Sequence, residues 1–213
     1  MNLPNLITLT RLIITAGVLG LLCAIDIGRS LDQKWLFQIA FWAFVVAALG
    51  DAVDGAIARR LDCVTRFGRV TDPLVDKVLI CGVFILFLGD GFWVEGRNIT
   101  GVAPWMVLVI IARELLVSLL RAKQEASKRA FGANWAGKLK MVLQSVTIGV
   151  ILFRRGYGLE LFDLLIVPLV WATVLATILS AIPYILRALQ SGAAPSVAAS
   201  RTQAAAGASG EAA

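Results

Sequence analysis

Apolar residues run in six long blocks separated by short polar connections. The blocks are Leu6–Ile25, Trp35–Ala58, Pro73–Leu88, Val102–Leu120, Lys140–Phe153 with some flanking residues, and Leu161–Leu186. About 20 mostly apolar residues are needed for a helix to cross a bilayer. Four blocks reach that length comfortably. The third and fifth are short, so their polar ends are expected at the interface or inside the bundle. Connections carry Gly28–Lys34, Gly89–Gly101 and Arg154–Glu160. Asn5 or Thr8 is placed to cap the first helix after the turn signal at Pro4. That block reads as a signal-anchor, since no small-residue cleavage site is obvious and further spans follow. The pattern predicts an all-α integral membrane protein of about six transmembrane helices. The helical domain is expected over residues 1–190, and the Ala/Ser/Gly-rich segment 191–213 reads as a disordered tail.

Composition agrees and removes several chemistries. The 213 residues are 59% hydrophobic and 16% charged, with a mean hydropathy of +0.83. A soluble globule carries about 45–50% apolar and about 25% charged residues. Histidine is absent, which excludes Ser-His-Asp and Cys-His nucleophile systems and His-ligated zinc or haem. Cys23, Cys63 and Cys81 show no CxxC pairing, so neither a disulfide framework nor a thiolate metal site is expected. Carboxylates, cations, hydroxyls or a bound metal are left to do the chemistry.

The net charge of +6 is unevenly spread. With six spans, one side holds Arg11, Arg59, Arg60, Arg66, Arg69, Arg121, Lys123, Lys128, Arg129, Lys138, Lys140, Arg187 and Arg201, and the other only Arg29, Lys34, Arg97, Arg154 and Arg155. The positive-inside rule then puts both termini in the cytoplasm. These cations line a membrane-adjacent face with no soluble module to present them. They suit anionic lipid, and no nucleic-acid partner is expected.

Four aspartates stand out. Asp51 and Asp54 fall in the last turns of the second block, and Asp72 and Asp76 at the start of the third. Spacings of i,i+3 and i,i+4 place each pair on one side of a helix, and a short loop would bring the pairs together at the cytoplasmic face. An Asp deep in a span costs about 2.5–3.5 kcal/mol, and four converging carboxylates repel one another unless a cation lies among them. Pairing with the loop arginines Arg59, Arg60, Arg66 and Arg69 would account for any one of them, but less well for four at helical spacing. Hard oxygen ligands favour Mg²⁺ or Mn²⁺ over Ca²⁺, and four Asp suffice for two ions, as in two-metal phosphoryl chemistry. Gly55, Ala58 and Gly68 share faces with the Asp pairs. They would admit a bulky ligand, or serve close helix packing.

Read as a string, Asp51-x2-Asp54-Gly55-x2-Ala58-Arg59, eight residues, then Gly68-x3-Asp72-x3-Asp76 resembles the signature of the CDP-alcohol phosphotransferases, and the likeness extends over residues 2–187. The resemblance implies transfer of a phosphatidyl or similar phospho-group from a CDP-linked donor to an alcohol, with release of CMP. It implies two divalent cations on Asp51, Asp54, Asp72 and Asp76, with Asp76 also the general base. It places Gly55, Ala58, Arg59, Gly68 and, less firmly, Thr65 at the CMP site. It further suggests a homodimer.

A second constellation bears on the alcohol. Arg113 lies inside the fourth block beside Glu114, Arg121 follows at its cytoplasmic end, and Lys138 opens the fifth. Cations on adjacent helices suit an acceptor that carries phosphate; an Arg113–Glu114 ion pair with snorkelling Arg121 and Lys138 would explain them equally. The strings from Asn2 to Arg11, Ala112 to Arg121 and Gly137 to Lys140 look like the phosphatidylglycerophosphate synthase branch. There the positions matching Arg113, Arg121 and Lys138 bind the phosphate of sn-glycerol 3-phosphate. The expected reaction is therefore CDP-diacylglycerol plus glycerol 3-phosphate at the cytoplasmic face of the inner (cytoplasmic) membrane. Other acceptors (inositol phosphate, phosphatidylglycerol, choline) are rivals within the family, and a cation transporter or channel is a rival outside it.

Overall fold

The structure, a computed structural model, describes residues 3–25, 34–61, 66–94, 96–126 and 135–192; the side chains of residues 3–8, 51–73, 94, 121, 123–126, 136 and 187–192 lie outside that description. Among the described residues there are six α-helices: α1 (Leu3–Cys23), α2 (Lys34–Leu61), α3 (Arg66–Leu86), α4 (Pro104–Ala126), α5 (Trp135–Tyr157) and α6 (Asp163–Gly192). All six apolar blocks are helical. Three begin several residues earlier than expected, α1 at Leu3, α3 at Arg66 and α5 at Trp135, and Asn5 and Thr8 therefore fall inside α1 instead of capping it. Counting apolar residues locates the oily part of a helix, whereas backbone hydrogen bonding continues through the polar turns that precede it. Asp72 and Asp76 consequently stand about 9 and about 15 Å along α3, rather than at its start.

The helices close into a ring. α1 packs on α2, α2 on α5, α5 on α6, α6 on α4, α4 on α3, and α3 back on α1, while α3 and α5 also touch. Small residues set two of these approaches. A Cβ at Gly156 of α5 would sit 3.1 Å from the backbone nitrogen of Gln38 in α2, and one at Gly82 of α3 would press on Leu19 of α1. Gln38 completes the first junction by donating from Nε2 to the Gly156 carbonyl at 2.9 Å.

One end of the ring is closed by the segment between α3 and α4. A short antiparallel hairpin, β1 (Trp93–Val94) on β2 (Arg97–Asn98), departs from the all-helical expectation; Gly96 adopts φ +75° in its turn. Phe92 packs edge-on against Phe87 and Phe37 at ring separations of 5.4 and 6.0 Å. Asn98 Nδ2 donates to the Phe87 carbonyl at 2.8 Å, and Arg155 Nη2 reaches the Ile99 carbonyl at 2.6 Å. The apolar core therefore gathers at this end, with Phe37, Phe84, Phe87, Phe92 and Ile110 almost wholly buried.

The polarity of the molecule is inverted relative to a soluble bundle. Large apolar side chains face outward on every helix, among them Ile13, Trp42, Leu74, Leu108, Val142 and Leu179, while Arg11, Arg113, Glu114, Lys140, Gln144 and three threonines of α5 and α6 are buried. Lipid tolerates that arrangement and water does not. Among the described residues, Glu160–Leu186 is long and apolar enough to span a membrane unaided, and Leu9–Cys23 and Lys34–Gly50 are shorter apolar helices. Charges lower the hydropathy of the others: Asp72, Asp76 and Lys77 in α3, Arg113 and Glu114 in α4, Lys138 and Lys140 in α5.

Candidate active site

Opposite the hairpin, the interior turns polar. α2 ends at Leu61 and α3 begins at Arg66, so the helices carrying Asp51/Asp54 and Asp72/Asp76 are joined by a short connection, and they touch. The side chains of Asp51, Asp54, Gly55, Ala58, Arg59, Gly68 and Asp72 lie outside the described residues, as does the whole of Thr65. The same holds for the side chains of Asn5, Thr8 and Arg121. Asp76 is described. It is partly buried on α3, and its charge is felt by Lys140 of α5 and by Cys81 one turn further along α3. The donor set expected for metal consists of carboxylates alone in a chain without histidine. That set fits a hard divalent cation such as Mg²⁺ or Mn²⁺.

A cluster of buried charges joins α4 to α5, and its Lys140 lies close enough to Asp76 for the two charges to interact. Arg113, Glu114 and Lys140 retain only 9%, 7% and 6% of their exposure. Glu114 Oε1 accepts from Arg113 Nη1 at 3.2 Å and also from Lys140 Nζ, tying α4 to α5. The Arg113 guanidinium carbon lies 5.9 Å from the centre of the Tyr184 ring on α6, within cation–π range. Two cations share the one Glu114 carboxylate, and the Asp76 carboxylate acts on Lys140 from α3. Arg113 Nε is buried with no hydrogen-bond partner among the described residues. A buried donor left open at a cationic site is what an anionic ligand would fill.

A third helix joins through hydroxyls. Lys77 Nζ donates to Ser118 Oγ at 2.6 Å, and Ser118 in turn donates to the Glu114 carbonyl. Lys77 follows Asp76 in sequence, so the aspartate helix is latched to α4 next to its own carboxylate. Below Lys140 the seam between α5 and α6 stays polar. Thr147 and Thr173 share a hydroxyl hydrogen bond of 2.7 Å, Thr177 donates to the Thr173 carbonyl at 2.7 Å, and Ser180 to the Thr177 carbonyl at 2.8 Å.

The expected residues thus divide. Arg113 is buried and points into the interior, where it forms the Glu114 ion pair while its Nε has no partner among the described residues. Lys138 is exposed. Lys140, two residues and about 200° further round α5, is the lysine that faces inward. Sequence reasoning gave no role to Lys77, Ser118, Tyr184 or Lys140's contact with Glu114. A signal existed for the lysines and Glu114: each is a charge inside an apolar block, and a buried charge requires a partner. Ser118 and Tyr184 carried none, because a hydroxyl in a span is ordinary.

Residues 1–186 match the family model described as CDP-alcohol phosphatidyltransferase. The chain is 33% identical over 190 residues to the CDP-diacylglycerol–glycerol-3-phosphate 3-phosphatidyltransferase of Bacillus subtilis, covering 86% of this chain and 93% of that protein. It is 32% identical over 191 residues to a probable phosphatidylglycerophosphate synthase of Mycobacterium tuberculosis, covering 89% of this chain and 82% of the relative. The Rickettsia felis protein bearing the same name as the Bacillus one is 32% identical over 184 residues, covering 86% and 93%.

Proposed function

The chain belongs to the CDP-alcohol phosphatidyltransferase family, and on that premise we propose that it transfers the phosphatidyl group of CDP-diacylglycerol to sn-glycerol 3-phosphate, giving phosphatidylglycerophosphate and CMP. The observation that supports the acceptor assignment is the buried cluster of Arg113, Glu114 and Lys140, in which Arg113 Nε has no hydrogen-bond partner among the described residues. The names of the relatives agree with it. In this reading the six helices span the cell's inner (cytoplasmic) membrane, both termini and the aspartate end face the cytoplasm, and the enzyme works as a homodimer.

Asp51, Asp54, Asp72 and Asp76 would hold two divalent cations, Mg²⁺ or Mn²⁺, whose contribution when bound is to offset charge on the donor pyrophosphate and on departing CMP. Gly55, Ala58, Arg59, Thr65 and Gly68 form the CMP subsite: the small residues allow close approach, and the Arg59 fork suits a phosphate or nucleotide edge. Arg113, Arg121 and Lys138 hold the acceptor's phosphate, Arg113 through the Nε donor that is unmatched among the described residues and Lys138 from its exposed position at the head of α5. Asp76 takes the proton from the 1-hydroxyl of glycerol 3-phosphate. That oxygen attacks the phosphorus bonded to diacylglycerol, and the bond to the CMP oxygen breaks. Acyl chains remain in the bilayer throughout, so only the headgroups need enter the polar end.

The test is CMP release by purified enzyme from CDP-diacylglycerol with a panel of alcohols: glycerol 3-phosphate, inositol phosphate, phosphatidylglycerol and choline. Turnover is expected with glycerol 3-phosphate, abolished by EDTA, restored by Mg²⁺ or Mn²⁺, and lost in Asp76→Asn. Turnover with a different alcohol alone would overturn the acceptor assignment, and full activity of Asp76→Asn would overturn the base. Cation flux in liposomes without CMP release would overturn the enzyme reading altogether.

A further inference from the structure

We propose that Glu114 is a positioning residue for the acceptor site: it touches no substrate, but its carboxylate fixes the Arg113 guanidinium in the orientation that grips the acceptor's phosphate. The inference rests on the function proposed above and adds a residue to it.

Three observations converge. One oxygen of Glu114 accepts from both buried cations, Arg113 on its own helix and Lys140 on α5. A long side chain such as arginine has many rotamers, and holding Nη1 at 3.2 Å from Oε1, with the guanidinium beside the Tyr184 ring, removes most of them. The pairing also leaves Arg113 Nε buried and without a partner among the described residues, so the guanidinium is held by one edge with another donor in reserve. A purely structural ion pair would satisfy the arginine; this one orients it and leaves Nε unmatched among the described residues. Finally, the main chain of Glu114 is tied through Ser118 to Lys77, the neighbour of Asp76. Acceptor cations and the aspartate helix are thereby referenced to one residue. Lys140 acts differently: its ammonium is held by the Glu114 carboxylate, which it holds in turn against α4.

Steady-state kinetics with CDP-diacylglycerol and sn-glycerol 3-phosphate separate positioning from mere stability. Glu114→Ala should raise KM for glycerol 3-phosphate about tenfold or more while KM for CDP-diacylglycerol stays within about twofold. Glu114→Gln, which retains an oxygen able to accept from both cations, should recover KM to within about threefold. Glu114→Asp keeps the charge but withdraws it by one methylene, and should raise KM about fivefold; it carries the test if the alanine variant does not fold. In an Arg113→Lys background, where the fork is already gone, Glu114→Asp should add less than about twofold, because the two residues act as a unit. An unchanged KM in Glu114→Asp, or a full additive effect in the double variant, would overturn the proposal while leaving the enzyme's reaction intact. Failure of the wild type to turn over glycerol 3-phosphate would overturn both readings together.

Discussion

Arg113 shows how much a single side chain's surroundings decide. A guanidinium inside a span is costly, yet this one is matched by a carboxylate on the next residue and by a tyrosine face. The two lysines of α5 divide along the same lines. Lys140 is buried against Glu114, whereas Lys138 is exposed. Removing one partner of a buried ion pair leaves the other charge unpaired, at a cost of about 3–5 kcal/mol. Lys140→Met leaves Glu114 paired with Arg113 but breaks the tie between α4 and α5, so the thermal midpoint of the purified protein should fall, by less than that full cost, and activity should fall with the folded fraction. Lys138→Met should leave the stability within about 0.5 kcal/mol of wild type, as surface changes generally do, but raise KM for glycerol 3-phosphate several-fold. Equal melting of the two variants would contradict the observed burial, and an unchanged KM for Lys138→Met would remove it from the acceptor site.

At the scale of elements, the six helices were legible because each is built on a long apolar block bounded by short polar connections. Helix ends were less legible. The stretch Arg66–Asp72 is polar, so hydropathy could not assign it to α3, and Pro73 reads as a start although the helix runs through it. The ring order was not legible at all: it depends on which small residues meet which backbones, and Gly156 looks no different from Gly149 until Gln38 is seen against it. Nor did the pattern reveal the Arg113–Glu114–Lys140 triad as a unit, since its members come from two helices 26 positions apart. Gly156 gives a test of the packing. A methyl there would press on the backbone of α2, which cannot turn aside as a side chain does, and overpacking of this kind costs about 1–3 kcal/mol. Gly156→Ala should destabilise the protein by that amount in thermal unfolding, and Gly149→Ala, whose nearest neighbour would be 3.9 Å away, by much less. The Thr147–Thr173 bond is weaker glue: Thr147→Val should cost about 0.6 kcal/mol, the average for hydrogen bonds between membrane helices.

The molecule as a whole has two unlike ends, and the proposed reaction requires them to face different compartments. At the hairpin end, Phe87, Phe92 and Phe37 interlock and Arg155 anchors the Ile99 carbonyl, so a polar substrate would have to break a packed apolar core to enter there. At the other end the interior is charged. In the proposed orientation this end faces the cytoplasm, as the positive-inside rule expects from the distribution of Lys and Arg along the sequence. Orientation and access make one joint prediction. With Cys23, Cys63 and Cys81 replaced, Arg97→Cys in the hairpin should react with an impermeant maleimide on intact cells, and Ala122→Cys near the end of α4 only after permeabilisation. Sealed inside-out membrane vesicles should consume added glycerol 3-phosphate and release CMP, whereas sealed right-side-out vesicles should do so only once opened. The reverse labelling would invert the topology. Correct labelling with activity in right-side-out vesicles would mean instead that the acceptor passes the aromatic end, and the closed core would have to open during turnover.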